Sequence, residues 1–106
     1  MSLSDSLPLA PRDLLILVVL AEGDNHGYGL IKEAERRSRG GVFLDPANLY
    51  RTLRRMRESG WIRESPESDE DRRRVYSITR EGREILAAEV RRLDDLLASA
   101  RPALAE

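Results

Sequence analysis

The apolar positions of this chain change their period as it proceeds, and the changes mark out its elements. Leu14 to Ala21 is an uninterrupted apolar run of eight residues. Such a run fits either a strand or a helix buried on more than one side. Pro11, tolerated in a first turn, Asp13 at the positive helix end and the Glu22-Gly23 stop favour a helix beginning at Pro11 or Arg12. A core of this size rarely surrounds a helix, so part of this one is expected to face a second subunit. Asp24-Asn25-His26-Gly27 reads as a turn, and a second helix is predicted over about Tyr28 to Ser38, with Leu30, Ile31 and Ala34 as its apolar stripe and Gly40-Gly41 at its end. The third helix has the strongest start: Asp45 as N-cap, then Pro46 at the first helical position. It runs to about Ser59, where Gly60 supplies the stop. Leu49, Leu53 and Met56 share one face of it. Ala47, Asn48, Arg51, Arg54 and Arg55 lie opposite, with Tyr50 and Arg57 at the flanks.

The period then shortens to two. Trp61 to Ser65 and Arg73 to Ile78 read as strands joined by a polar loop, Arg74, Tyr76 and Ile78 alternating with Arg73, Val75 and Ser77. Thr79 caps a last helix from Arg80 to about Ala100. In it Leu86, Val90, Leu93, Leu97 and Ala100 form a heptad seam, and Pro102 is expected to break the helix. Three helices, a two-stranded hairpin and a long helix describe a mainly α protein with a small β-hairpin: a winged helix-turn-helix plus a long C-terminal helix. On this reading residues 1–10 are a flexible lead, 11–79 the winged helix-turn-helix domain and 80–106 the dimerisation helix and tail.

The length of 106 residues allows one such domain. There is no cysteine and a single histidine, His26, so a disulfide framework, a thiolate zinc site and a histidine-based triad are not expected. The longest apolar run is far below the roughly 20 residues of a membrane span. The segment before that run carries Asp5, Arg12 and Asp13, so no secretory signal is expected and the protein is placed in the cytoplasm. Gly23, Gly27 and Gly29 do not follow a strand as a phosphate-cradling loop would. Glu67, Asp69, Glu70 and Asp71 lack the glycine-spaced pattern of a calcium loop. Neither enzyme activity nor a cofactor is expected.

Charge changes the picture most. The net charge of −1 conceals a segregation: residues 1–35 carry −4, residues 36–63 carry +6 and residues 64–106 carry −3. The bases are 17 arginines and one lysine, and arginine presents a planar fork suited to phosphate and to guanine edges. The arginine face of the third helix and Arg72-Arg73-Arg74 on the hairpin together point to double-stranded DNA, with a helix in the major groove and the hairpin beside it.

Five stretches carry a resemblance. They are Leu17-Val18-Val19-Leu20-Ala21-Glu22-Gly23, His26-Gly27-Tyr28-Gly29-Leu30, Asn48-Leu49-Tyr50-Arg51-Thr52-Leu53-Arg54-Arg55-Met56, Glu58-Ser59-Gly60-Trp61-Ile62 and Arg74-Val75-Tyr76-Ser77-Ile78-Thr79-Arg80-Glu81-Gly82-Arg83. Over about Leu14 to Leu97 the chain resembles PadR-family transcriptional regulators of the compact subfamily with a single C-terminal dimerisation helix. Asp45-Pro46-Ala47-Asn48 departs from the glycine-rich start that the family often has at the third helix. The resemblance implies a homodimeric DNA-binding repressor and gives Tyr28 and Tyr50 the role of phosphate contacts, against ordinary packing.

The residues chosen for DNA are Tyr28, Asn48, Tyr50, Arg51, Arg54, Arg55, Arg73 and Arg74. Asn48 either pairs with adenine or supports the first helical turn. The dimer interface is expected from Leu14 and Leu17 of the first helix with Leu86, Val90, Leu93 and Leu97 of the last. A small-molecule effector between these helices stays open. The last helix has no Trp, Tyr or Phe, so an aromatic sandwich for flat ligands cannot be built from it. A different class of function, a winged-helix adaptor whose arginines meet an acidic protein, also stays open.

Overall fold

The structure, a computed structural model, describes residues 3–66 and 74–105. A 3-10 turn, Leu3–Ser6, is followed by α1 (Pro11–Glu22), β1 (Asn25–His26), α2 (Gly27–Arg37), α3 (Pro46–Glu58), β2 (Ile62–Pro66), β3 (Arg74–Ile78) and α4 (Arg80–Leu104). The strands form one antiparallel sheet in the order β1-β3-β2, with Glu64 opposite Tyr76 and Asn25 also opposite Tyr76 on its other side. This is a winged helix with a long C-terminal helix.

Local chemistry sets most boundaries. Pro11 opens α1 with no side-chain cap. His26 caps α2, its Nδ1 accepting from the Gly29 N–H at 3.3 Å. Asp45 caps α3, Oδ1 accepting from the Asn48 N–H at 2.9 Å. Gly60, at φ 83°, ends α3 in the left-handed conformation that glycine adopts without strain. Thr79 caps α4 by accepting from the Gly82 N–H at 3.0 Å, and its own hydroxyl donates to the Gly60 carbonyl at 2.6 Å. That threonine knits the end of α3, the hairpin base and the start of α4 together.

Ile16, Leu17 and Leu20 from α1 meet Leu30 and Ala34 from α2, and Leu49, Leu53 and Met56 from α3. Ile62, Tyr76 and Ile78 from the sheet and Ile85 from α4 close the core. Leu17, expected at a subunit interface, is wholly buried in its own core. Leu14 lies half-buried at the core edge.

Three further differences from the sequence reading have physical causes. The turn before α2 contains a two-residue strand, too short to show a period, which pairs with β3. The end of the lead, expected to be flexible, packs on the body: Leu9 is buried and its N–H donates to the buried Glu89 of α4 at 2.8 Å. And α4 does not break at Pro102 but runs to Leu104. A proline in the last turn of an exposed helix end removes only one hydrogen bond, a smaller loss than in a helix interior.

Glu89 also accepts from the Arg92 guanidinium at 3.0 Å through Oε2. Arg92, outweighing the desolvation, holds its carboxyl below the ordinary carboxylate range. Glu33 is held lower still, at about 2 against an ordinary 4.5, by hydrogen bonds from Arg36 and Arg37. Both groups are more acidic folded than unfolded. Their stabilisation is therefore complete above pH 4.5 and is lost as pH falls toward 2. Urea unfolding followed from pH 7 down to pH 2 should show a constant midpoint to about pH 5 and a steady fall below it.

Candidate nucleic-acid interface

The surface of α3 that faces away from the core carries Tyr50, Arg51, Arg54, Arg55 and Arg57, all exposed. Its buried side is Leu49, Thr52, Leu53 and Met56, so the helix is divided cleanly between core and solvent. Tyr28, two-thirds exposed, stands in the first turn of α2 with the Lys32 ammonium 5.3 Å from its ring centroid. Tyr50 reaches back to the same turn. A Cβ added at Gly27 would sit 3.1 Å from the Tyr50 hydroxyl, so glycine is what lets α2 and α3 approach there. The structure thus brings Tyr28, Tyr50, Arg51 and Arg54 to one side of the molecule, with the wing alongside. Arg73 lies outside the described residues.

Partners sort the basic block. Arg37 bridges Glu22 of α1, Nη1 at 3.0 Å, and Glu33 of its own helix, and Arg36 binds Glu33 at 2.8 Å. Hydrogen bonds from Arg37 hold Glu22 below the ordinary range as well. These two arginines belong to the α1–α2 surface, and two of the positive charges counted in the 36–63 block are neutralised there. Arg51 and Arg54 have no ionic partner among the described residues.

Asn48 has a local task. Its Nδ2 donates to Asp45 Oδ2 at 2.7 Å and its Oδ1 accepts from Arg51 Nη1 at 3.4 Å. Of its two sequence readings, support of the first helical turn is the one seen here. Arg55 is shared. Its Nη2 donates to Asp13 Oδ2 at 2.7 Å, across 42 residues of sequence, while half of the side chain stays exposed. Asp13 is buried at the start of α1, and its Oδ1 has no hydrogen-bond partner among the described residues. Arg55→Ala would leave that carboxylate buried with only a longer ion pair, to Arg12 Nε at 3.8 Å. With a discount for the exposed guanidinium, the expected loss is about 2 kcal/mol, measurable as a lower urea midpoint. Arg55→Ala with Asp13→Asn should recover part of it.

The sequence reading missed Glu64 on β2. Its Oε2 accepts from Arg57 Nη1 of α3 at 2.8 Å and from Arg74 Nη1 of β3 at 2.9 Å. Tyr76, buried opposite Glu64, has its phenol pushed up to about 12, first by burial and then by the neighbouring Glu64 carboxylate. Arg74 shares the sheet face of Tyr76 and Ile78, so it turns toward α3 rather than away from it.

At the other side of the molecule α4 leaves an apolar strip uncovered. Leu86 and Leu93 are half-buried, while Val90 and Leu97 are nearly half exposed. Ala21 of α1 and Leu86, Ala87 and Val90 of α4 line a groove of about 450 Å³, with Arg83 and Arg91 at its rim. No helix among the described residues is long and apolar enough to cross a membrane.

Comparison with known proteins agrees with this architecture. The sequence profile of the transcriptional regulator PadR-like family matches residues 16–88. The chain is 36% identical over 76 residues to an uncharacterized 37.1 kDa protein in transposon TN4556 of Streptomyces fradiae. That match takes in 72% of this chain and 21% of the other, so the chain spans about a fifth of that relative's length. The crystal structure of a PadR family transcription regulator from Clostridium difficile superposes with a TM-score of 0.78 at 25% identity, over 91% of this chain and all of that one. Bacillus subtilis PadR in complex with operator DNA shares the fold at 19% identity and a TM-score of 0.66, over 78% of this chain and 48% of that one. With the family profile spanning α1 to the first turns of α4, and the fold shared along the whole length of a PadR structure, the chain belongs to the PadR-like family of transcriptional regulators.

Proposed function

We propose that the protein is a homodimeric repressor that binds specific duplex DNA through α3 and the wing. The observation that carries this reading is the exposed outer face of α3, where Arg51 and Arg54 have no acidic partner among the described residues and stand beside two exposed tyrosines. An arginine free of ion pairs on an exposed helix is available to phosphate oxygens or to the O6 and N7 of guanine. That Bacillus subtilis PadR, which shares this fold, is found in complex with operator DNA supports the reading.

Arg51, near the leading end of α3, is assigned to base edges, with Asn48 beside it. Tyr28, Tyr50, Arg54, Arg55, Arg73 and Arg74 are assigned to the backbone. The apolar strip of α4 is assigned to a second copy, Leu86, Val90, Leu93 and Leu97 packing against the partner with Leu14 at the edge. A two-fold dimer then addresses half-sites about 34 Å apart, one helical turn, or a multiple of it. If about eight phosphates are neutralised per dimer, log K falls against log salt with a slope near −7.

The test is selection of bound fragments from random duplex DNA, followed by titration of the selected and a scrambled duplex at two salt concentrations. Arg51→Ala should lose about 1–3 kcal/mol of discrimination at one base-pair position per half-site while still binding scrambled DNA. Wild-type protein that enriches no sequence and binds no duplex would remove the DNA function in favour of an adaptor for an acidic protein.

A further inference from the structure

We propose that the cleft between α3 and the wing is a seat for one DNA backbone phosphate, and that Glu64, an acid on the DNA-binding side, is the residue that assembles it. This rests on the DNA-binding function proposed above and adds a residue that electrostatics alone would count as harmful.

The cleft has a volume of about 340 Å³ and is walled by Tyr50, Arg54, Arg57, Glu64, Arg74 and Tyr76. Three guanidiniums against one carboxylate leave it with an excess of positive charge, so its complement is an anion. The arginines come from two separate elements, α3 and β3, and Glu64 lies on a third, β2. A single carboxylate oxygen, Oε2, receives one N–H from Arg57 and one from Arg74. A guanidinium has five N–H groups, so each arginine keeps donors free. Both side chains remain exposed, at 45% and 61%. Arg54 beside them has no ionic partner among the described residues.

Glu64 itself has little freedom. Its side chain is 17% exposed and sits on the sheet opposite the buried Tyr76. Through its two arginine bonds the carboxylate holds two long, like-charged side chains side by side at the surface. Without it Arg57 and Arg74 would repel across the cleft, and a phosphate would have to order both on arrival. With it much of that ordering is complete before DNA binds, which is how preorganisation raises affinity. The donors left over converge from two walls, as a tetrahedral phosphodiester with two charged oxygens requires. The cleft adjoins the exposed face of α3 that carries Arg51, so its occupant is the duplex backbone rather than a free anion.

The sign of one substitution separates this from simple charge counting. Glu64→Gln removes a negative charge from a DNA-binding face, and a uniform Coulomb field would tighten binding. The seat predicts the opposite. A labelled duplex of random sequence, titrated at two salt concentrations, should bind Glu64→Gln about five- to tenfold more weakly than wild type, with the salt slope flatter by roughly 0.9 per protomer. Arg57→Ala should lose a similar factor, and the double variant should lose little more than either single one. Glu64→Gln binding as tightly as wild type or tighter, or losses that multiply in the double variant, would overturn the seat while leaving DNA binding intact. Wild type that binds no duplex would remove both. Circular dichroism checks that the variants fold. If Glu64→Gln does not, Arg57→Lys decides: it keeps the charge but not the fork, so weakened binding supports the seat and wild-type binding overturns it. Inorganic phosphate at millimolar concentration should not compete with the duplex, and competition specific to proteins with Glu64 would assign the cleft to a free anion instead.

Discussion

Gly82→Ala should lower the stability of the protein by about 3 kcal/mol or more. An added Cβ would lie 2.2 Å from the Trp61 carbonyl oxygen and 2.8 Å from the Ile78 side chain. The carbonyl cannot step aside without cost, because it accepts the Thr79 N–H at 2.9 Å in the contact that joins the hairpin base to α4. Gly82 is also the residue whose N–H is capped by Thr79. Relief of the clash would therefore pull the first turn of α4 away from its cap, and Ile85, one turn on, away from the core. For a domain of this size 3 kcal/mol corresponds to a fall in Tm of about 12–24 °C. Thermal unfolding at fixed protein concentration measures it. Gly23→Ala is the control. Nothing lies within 4 Å of a Cβ added there and the backbone is extended, so the change should alter stability by no more than about 0.5 kcal/mol. Equal melting of the two variants would contradict the close packing of α4 on the hairpin.

Leu93→Asp should convert the proposed dimer into a folded monomer. Leu93 lies in the middle of the uncovered α4 strip, between Val90 and Leu97, and is only half-buried within its own chain. A carboxylate there costs the free protomer little, because it remains in water. In a dimer it would be buried against an apolar partner at several kcal/mol. Sedimentation should show half the wild-type mass with unchanged helical content. Two linked recognition helices gain from effective concentration, so affinity for a duplex carrying both half-sites should fall about 10²–10⁴-fold. The affinity for a single half-site should stay near the wild-type value. A dimeric Leu93→Asp protein would place the interface elsewhere.

Much of this was legible because it is written locally. Asp45, Pro46 and Gly60 delimit α3 by cap, first turn and stop, and each acts within four residues. The divided face of that helix and the α4 seam follow from periodicity. What escaped depends on residues distant in sequence. The all-apolar run of α1 contains no signal that would turn Leu17 inward and leave Leu14 at the edge. Arg55 and Arg37 could not be separated from Arg51 and Arg54 without knowing that Asp13 and Glu22, 42 and 15 residues away, stand beside them. Glu64 is one acid in the short strand read over Trp61 to Ser65, and nothing local singles it out. Its place between Arg57 and Arg74 depends on the β2–β3 register, which sets it opposite Tyr76 and diagonal to Arg74. The two-residue β1 offers no pattern, and only its pairing with β3 defines it.

The burial of α1 carries a consequence for how the chain is made. Its apolar sides are covered by α2, β3 and α4, and the segment before it is held by Glu89. During synthesis from the N-terminus, the ribosome releases this apolar helix before the two elements, β3 and α4, that cover two of its flanks. Until they emerge, α1 has only α2 and α3 to shelter against. Folding of this domain therefore waits on β3 and α4, and until then α1 presents uncovered apolar flanks to chaperones.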